Sequence, residues 1–251
     1  MRKVSRSIAA VALIAIAASA AAAQHAGAHW TYSGEDGPSH WGALSHDYAV
    51  CSSGHEQSPI DITTVMSASL PAIQVDYKPS PLSVVDNGHT IMVTPAPGSS
   101  IMVGGKKYDL VQFHFHRPSE EEINGKRHAM VAHLVHKDAE GHLAVIAVLL
   151  DVGPANATLQ SIWSHLPDMK DMQMTVDSVA VDPAGLLPAT RGYYTFAGSL
   201  TTPPCSEHVT WFVLKSPVTI STDQEAAFAK LYPMNARPVQ PLHGRTVKVS
   251  P

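Results

Sequence analysis

The stretch 112-QFHFHRPSE-120 places His114 and His116 on either side of one phenylalanine. On a β-strand successive side chains point to opposite faces, so Gln112, His114 and His116 share one face and Phe113 and Phe115 the other. Two imidazoles on an aromatic-backed strand offer two nitrogens to one metal ion. The same pattern also describes an exposed strand with two polar residues. A metal reading needs a third ligand, and 129-AMVAHLVHKD-138 contains one. Alternation there puts Val131, His133 and Val135 on one face and Ala132, Leu134 and His136 on the other. His133 follows His116 by 17 residues, with the turn pair Asn124-Gly125 between them. That spacing suits antiparallel neighbours and would bring His133 beside the first pair. Three neutral imidazoles with an open fourth position are the donor set of a catalytic zinc, whereas a structural zinc takes four protein ligands, usually with Cys. His136, His142 and His165 belong to no such constellation and read as surface or core residues.

The elements that must position these residues are mostly strands. Short β-rich runs, among them 82–88, 90–98, 101–110, 111–116, 129–136, 143–150, 193–200 and 208–214, alternate with Pro and Gly punctuation. Gly104-Gly105 and Asn124-Gly125 are hairpin-type turn signals. The run 143-LAVIAVLL-150 is apolar throughout and predicts a central strand buried on both faces. Helices are few. In 222-TDQEAAFAKLY-232, Thr222 stands three residues before Glu225 in a capping-box pattern and Pro233 follows the end; 158–166 offers a second short helix. There is no internal repeat and no long linker. The fold class is mainly β with small helices.

The 251 residues are enough for a sizeable core. The chain begins with Arg2, Lys3 and Arg6, then a short alanine-rich apolar run to Ala23. That is the pattern of a secretory signal peptide over residues 1–23, leaving 24–251 as the mature domain. Its removal takes three basic residues and leaves 14 Lys and Arg against 21 Asp and Glu, a net −7. An acidic chain is a poor partner for nucleic acid or an anionic membrane. Cys51 and Cys205 are the two cysteines, and in an exported protein an isolated pair is most simply a disulfide, with two buried thiols as the alternative.

Taken in order, FHFH, AHLVH, 198-GSLTTPPCSE-207 and 237-RPVQPL-242 resemble the α-class carbonic anhydrases, in particular their secreted bacterial members. The likeness runs from 29-HWTYSG-34 through 57-QSPIDI-62, 86-DNGH-89 and 211-WFVL-214 over almost the whole mature chain. It implies one domain around a large twisted, mostly antiparallel sheet of about ten strands. It implies Zn²⁺ on His114, His116 and His133, and reversible hydration of CO₂ to bicarbonate and a proton by attack of zinc-bound hydroxide. It implies that Thr201 accepts from that hydroxide and donates to Glu120, and that Gln112 orients His114. The CO₂ pocket maps to Val135, Val145, Leu200 and Trp211 with Thr202 at its rim. His89 takes the proton-shuttle position, and Asn87 and Tyr32 match residues that order the relay waters. Cys51 and Cys205 match the disulfide of secreted members, and Pro59 and Pro204 match cis positions. The resemblance implies a periplasmic or secreted monomer or homodimer whose partner is the small molecule CO₂ or bicarbonate.

The chain departs from the pattern at Thr31, where the family has Gly, and at Val131, where the family has a glutamate that holds the third ligand. His133 is therefore expected to lack a carboxylate partner and to hold zinc less tightly. Two other readings use the same residues: a non-catalytic zinc-binding protein on this scaffold, and a zinc hydrolase of a larger ester. The second would need a general-base carboxylate near the metal, a place for which the sequence supplies no clear candidate.

Overall fold

The computed structural model describes residues 28–251; the expected leader, residues 1–23, lies outside them. The strands are β1 (Asp61–Ile62), β2 (Met66–Ser67), β3 (Gln74–Asp76), β4 (Ser80–Asp86), β5 (Ile91–Val93), β6 (Ser100–Val103), β7 (Lys106–His116) and β8 (Glu122–Ile123). They continue with β9 (Met130–Lys137), β10 (Leu143–Val152), β11 (Met174–Val181), β12 (Tyr193–Ser199), β13 (Glu207–Leu214), β14 (Val218–Ile220) and β15 (Lys248–Val249). The α-helices are short: α1 (Trp41–Leu44), α2 (Val50–Ser53), α3 (Ala157–Trp163) and α4 (Thr222–Leu231).

Among the described residues thirteen strands form one sheet, more than the ten or so expected, in the order β11-β4-β5-β7-β9-β10-β13-β12-β15-β2 with β6, β3 and β14 alongside. Most pairs are antiparallel; β10 runs parallel to β13 and to β14, and β15 to β2. β10 has strands on both sides and its residues 144–150 are buried, as its unbroken apolar run predicts. The Gly104-Gly105 pair turns β6 into β7, both glycines with positive φ. Asn124 and Gly125 also take positive φ, as a two-residue turn of that type requires. α4 is capped one residue earlier than the sequence pattern indicates: Ser221 is the N-cap and Gln224 completes the box. Ser58–Pro59 and Pro203–Pro204 are cis, and so is Arg117–Pro118.

The sequence reads 101–110 and 111–116 as two runs, but β7 is one strand of 11 residues with an irregularity between Leu110 and Gln112. Leu110 pairs with His136 and Gln112 with Val135, so Val111 is the extra residue of a β-bulge. The bulge shifts the alternation by one. Tyr108 and Leu110 before it, and Phe113 and Phe115 after it, all enter the same core, with Leu134 and Ile146. A second apolar cluster, holding Val131, Val135, Val145, Ala147 and Trp211, covers the other face of β9 and β10. The three histidines belong to that face.

Candidate metal centre

His114 lies directly opposite His133 in the antiparallel β7–β9 pair. The ring centroids of the three imidazoles stand 4.8 to 5.5 Å apart. One nitrogen from each can be chosen so that all three lie within 4.8 Å of one another. The opposite nitrogen of each ring is already engaged by an acceptor. His114 Nδ1 donates to Gln112 Oε1 at 2.8 Å, and His116 Nδ1 to the Asn235 carbonyl at 2.7 Å. His133 Nε2 donates to the Glu121 carboxylate, at 3.1 Å to Oε1 and 3.3 Å to Oε2. These bonds fix the tautomers and leave Nε2 of His114, Nε2 of His116 and Nδ1 of His133 as lone pairs.

His116 Nε2 is buried and has no hydrogen-bond partner among the described residues. A buried orphan acceptor among two other lone pairs is costly unless a cation takes it. Three neutral nitrogens suit zinc with a fourth position open. Enclosure pushes His114 down to about 3 and His116 well below its usual value, so both stay neutral. Burial acts the same way on His133, but the charge and hydrogen bond of Glu121 outweigh it and the ring is raised.

Here the structure corrects an expectation. His133 does have a carboxylate partner. Val131 is fully buried among apolar neighbours in the cluster that holds Ile60 and Ile62, while Glu121 arrives from the segment between β7 and β8. Spacing along β9 shows only that Val131 is apolar; the partner lies on another segment and nothing local to β9 signals it.

Glu120 is also fully buried. Its Oε1 accepts the Arg237 backbone N–H at 2.7 Å. Its Oε2 lies 3.5 Å from His116 Nε2 and 3.8 Å from His133 Nδ1. Burial pushes its carboxyl up to about 7; His133 opposes the rise, Glu121 adds to it, and the Thr201 hydroxyl beside it favours the charged form. Thr201 is held in a tight loop: Cys205 N–H donates to the Thr202 carbonyl at 2.8 Å and Leu200 N–H to the Ser206 carbonyl at 2.9 Å. Cys205 is disulfide-bonded to Cys51. The Trp211 indole N–H donates to the Ser199 carbonyl at 3.0 Å and anchors the start of the same loop.

The centre opens into two lobes. One, about 150 Å³, is lined by Val135, Val145, Leu200 and Trp211 together with His114, His133, Thr201 and Thr202. The other, about 110 Å³, is lined by Tyr32, Asn87, His89, Gln112, His114 and His116 among others. Every residue expected at the site lines a lobe or, for Glu120, lies beside the free nitrogens of His116 and His133. His89 stacks on Trp30, ring centroids 3.7 Å apart, and burial lowers its imidazole. Asn87 accepts the backbone N–H groups of His89 and Thr90 at 3.0 and 2.9 Å, so it shapes the turn that presents His89. Tyr32 keeps a buried hydroxyl without a partner among the described residues, and burial beside Glu120 raises it well above the usual phenol range. Sequence reasoning missed Glu121, Asn235, Trp30 and Arg237. Arg237 opens the 237–242 motif; Asn235 acts through a backbone carbonyl that no residue type reveals.

Three histidines with their proton-bearing nitrogens fixed, at the junction of two lobes on a large sheet, are a donor set that fits a bound metal. The profile of the eukaryotic-type carbonic anhydrases matches residues 36–251, and the chain belongs to that family, the α-carbonic anhydrases. The carbonic anhydrase of Neisseria gonorrhoeae is 46% identical over 95% of this chain and 94% of its own length. That of Nostoc is 42% identical over 87% and 85%. The α-carbonic anhydrase of Thermovibrio ammonificans, solved with the inhibitor sulfanilamide, superposes with a TM-score of 0.86 at 45% identity, covering 88% of this chain and 99% of the other. The chain is an enzyme of this family, whose reaction is the hydration of CO₂.

Proposed function

We propose that the chain is a zinc enzyme that hydrates CO₂ reversibly to bicarbonate and a proton, with His114, His116 and His133 as the metal ligands. The observation that carries this is the set of three free ring nitrogens, each fixed by an acceptor on its far side, with Val135, Val145, Leu200 and Trp211 lining the cavity that His114 and His133 share. When bound, the zinc supplies a water acidified to a pKa of about 7, the value established for carbonic anhydrase itself.

The chain's own residues do the rest. Glu120, tied to the Arg237 backbone, accepts the Thr201 hydroxyl proton. Thr201 is then left to present a lone pair, so it selects and aims a protonated nucleophile oxygen at carbon. Val135, Val145, Leu200 and Trp211 receive CO₂, which is small and apolar and displaces only weakly held water. Thr202 borders both lobes and meets the more polar product. His89, at the far side of the polar lobe, takes the proton toward solvent; Tyr32 and Asn87 shape the path between. An unperturbed imidazole titrates near 6.5, and burial holds His89 below that, so it releases the proton readily to solvent.

The domain of residues 24–251, the leader of residues 1–23 and the Cys51–Cys205 bond together support a periplasmic or secreted enzyme, monomer or homodimer. The test is stopped-flow CO₂ hydration by the mature protein, with metal measured on the same sample. Fast turnover with one zinc per chain, abolished by a chelator and restored by zinc, is the expected result. Zinc present without turnover would refute the catalytic reading and favour a binding role.

A further inference from the structure

Glu121 is fully buried, and its carboxylate has one side-chain partner among the described residues, His133. A buried carboxylate with a single partner is costly unless that partner repays its desolvation. The backbone around it is firmly placed. Ser119 Oγ donates to the Glu121 carbonyl at 2.8 Å and accepts the His128 N–H at 2.9 Å, and Glu122 N–H donates to the Ile60 carbonyl at 3.3 Å. The other two imidazoles lean on neutral acceptors, an amide and a backbone carbonyl. His133 alone leans on a carboxylate, which makes its free nitrogen the most basic donor of the three.

We propose that Glu121 is the positioning residue for His133 in this chain and that it sets how tightly the centre retains zinc, in place of a carboxylate at position 131 on the same strand as the ligand. The two positions are exchangeable. Val131 and His133 share a face of β9, so a glutamate at 131 would approach the same ring nitrogen that Glu121 now engages. The wild-type protein therefore has no deficit for Val131→Glu to correct. That change alone adds a second buried carboxylate where one already serves. This inference rests on the zinc reading above.

The experiment measures zinc release to an excess of dipicolinate from wild type, Glu121→Ala, Glu121→Gln, Val131→Glu and the double variant Glu121→Ala/Val131→Glu. Thermal melts of each metal-free protein report folding, and the visible spectrum of each Co²⁺-loaded protein reports ligand geometry. Glu121→Ala should lose zinc roughly 10- to 100-fold faster, with an altered cobalt spectrum. Glu121→Gln, which keeps an acceptor but no charge, should fall between, and Val131→Glu alone should not slow release. The double variant should recover both zinc retention and the spectrum. Wild-type zinc release from a folded Glu121→Ala overturns the proposal. So does a folded double variant that stays as leaky as Glu121→Ala, because the loss then comes from packing. Either result leaves the CO₂-hydrating function standing if wild type binds zinc and turns over. A wild type that binds no zinc overturns both.

Discussion

Replacing Cys51 and Cys205 together by alanine opens a ring that closes a sequence separation of 154 residues. In the chain-entropy account a cross-link of that span removes roughly 17 cal/mol/K from the unfolded chain, or about 5 kcal/mol at 25 °C. For a domain of this size each kcal/mol moves the melting temperature by about 2–4 °C, so the expected fall is roughly 10–20 °C. Both sulfurs are buried, beside Trp41 and Tyr48, so alanine also removes packing. Reduced wild type keeps the sulfurs and isolates the cross-link. Denaturant melts of oxidised wild type, reduced wild type and the double variant separate the two contributions. Below the melt, activity should change much less than stability, because the Thr201 loop keeps its own backbone bonds. A reduced wild type within about 1 kcal/mol of the oxidised protein would refute the loop-closure reasoning.

Thr201→Ala removes the hydroxyl between Glu120 and the nucleophile and should lower kcat/KM by on the order of 10²-fold with zinc content unchanged; an activity close to wild type would refute the aiming role. His89→Ala should lower kcat on the order of 10²-fold in weak buffer and recover in concentrated imidazole buffer; a loss that buffer cannot repair would point away from proton transfer. Arg237 is buried and donates to Gln57, Ser58 and Cys51, so Arg237→Ala strands three neutral acceptors at about 1–3 kcal/mol each and should cost at least about 3 kcal/mol in denaturant melts; a loss below about 1 kcal/mol would show that water takes its place. Burial holds His136, bonded to Tyr77, down at about 4. It is neutral in the fold and takes a proton only on unfolding, so its contribution is intact above about pH 6.5 and lost as pH falls toward 4, by up to roughly 3 kcal/mol. His136→Gln should reduce the acid slope of stability by one proton, and an unchanged slope would sink this assignment.

The ligand triad is legible in the sequence because strand alternation and hairpin spacing are local rules. His114, His116 and His133 need only period two and a turn between β7 and β9. The sheet class is legible for the same reason, since alternation and the Gly-rich turns repeat along the chain. The bulge at Val111 is not, because a bulge is a mismatch between two strands and neither strand shows it alone. The partner of His133 is not legible either. Against the family pattern, valine at position 131 reads as a loss. The replacement sits ten residues earlier in sequence and reaches His133 only through the path of the segment after β7. The tight pairing of His116 with a backbone carbonyl leaves no trace in residue type. What the sequence hides, in each case, is an interaction between segments rather than within one.

The holders of the three imidazoles come from different parts of the chain: Gln112 from β7, Glu121 from the segment after it, and the Asn235 carbonyl from beyond α4. The first two are in place once β7 to β9 have paired. The third arrives only when residue 235 has been made and has docked against Arg117 and Phe115. A chain still being synthesised, or one cut short before that point, would carry all three histidines with His116 free to rotate. On the zinc reading proposed above, tight metal retention would therefore report that a chain has folded at least as far as residue 235.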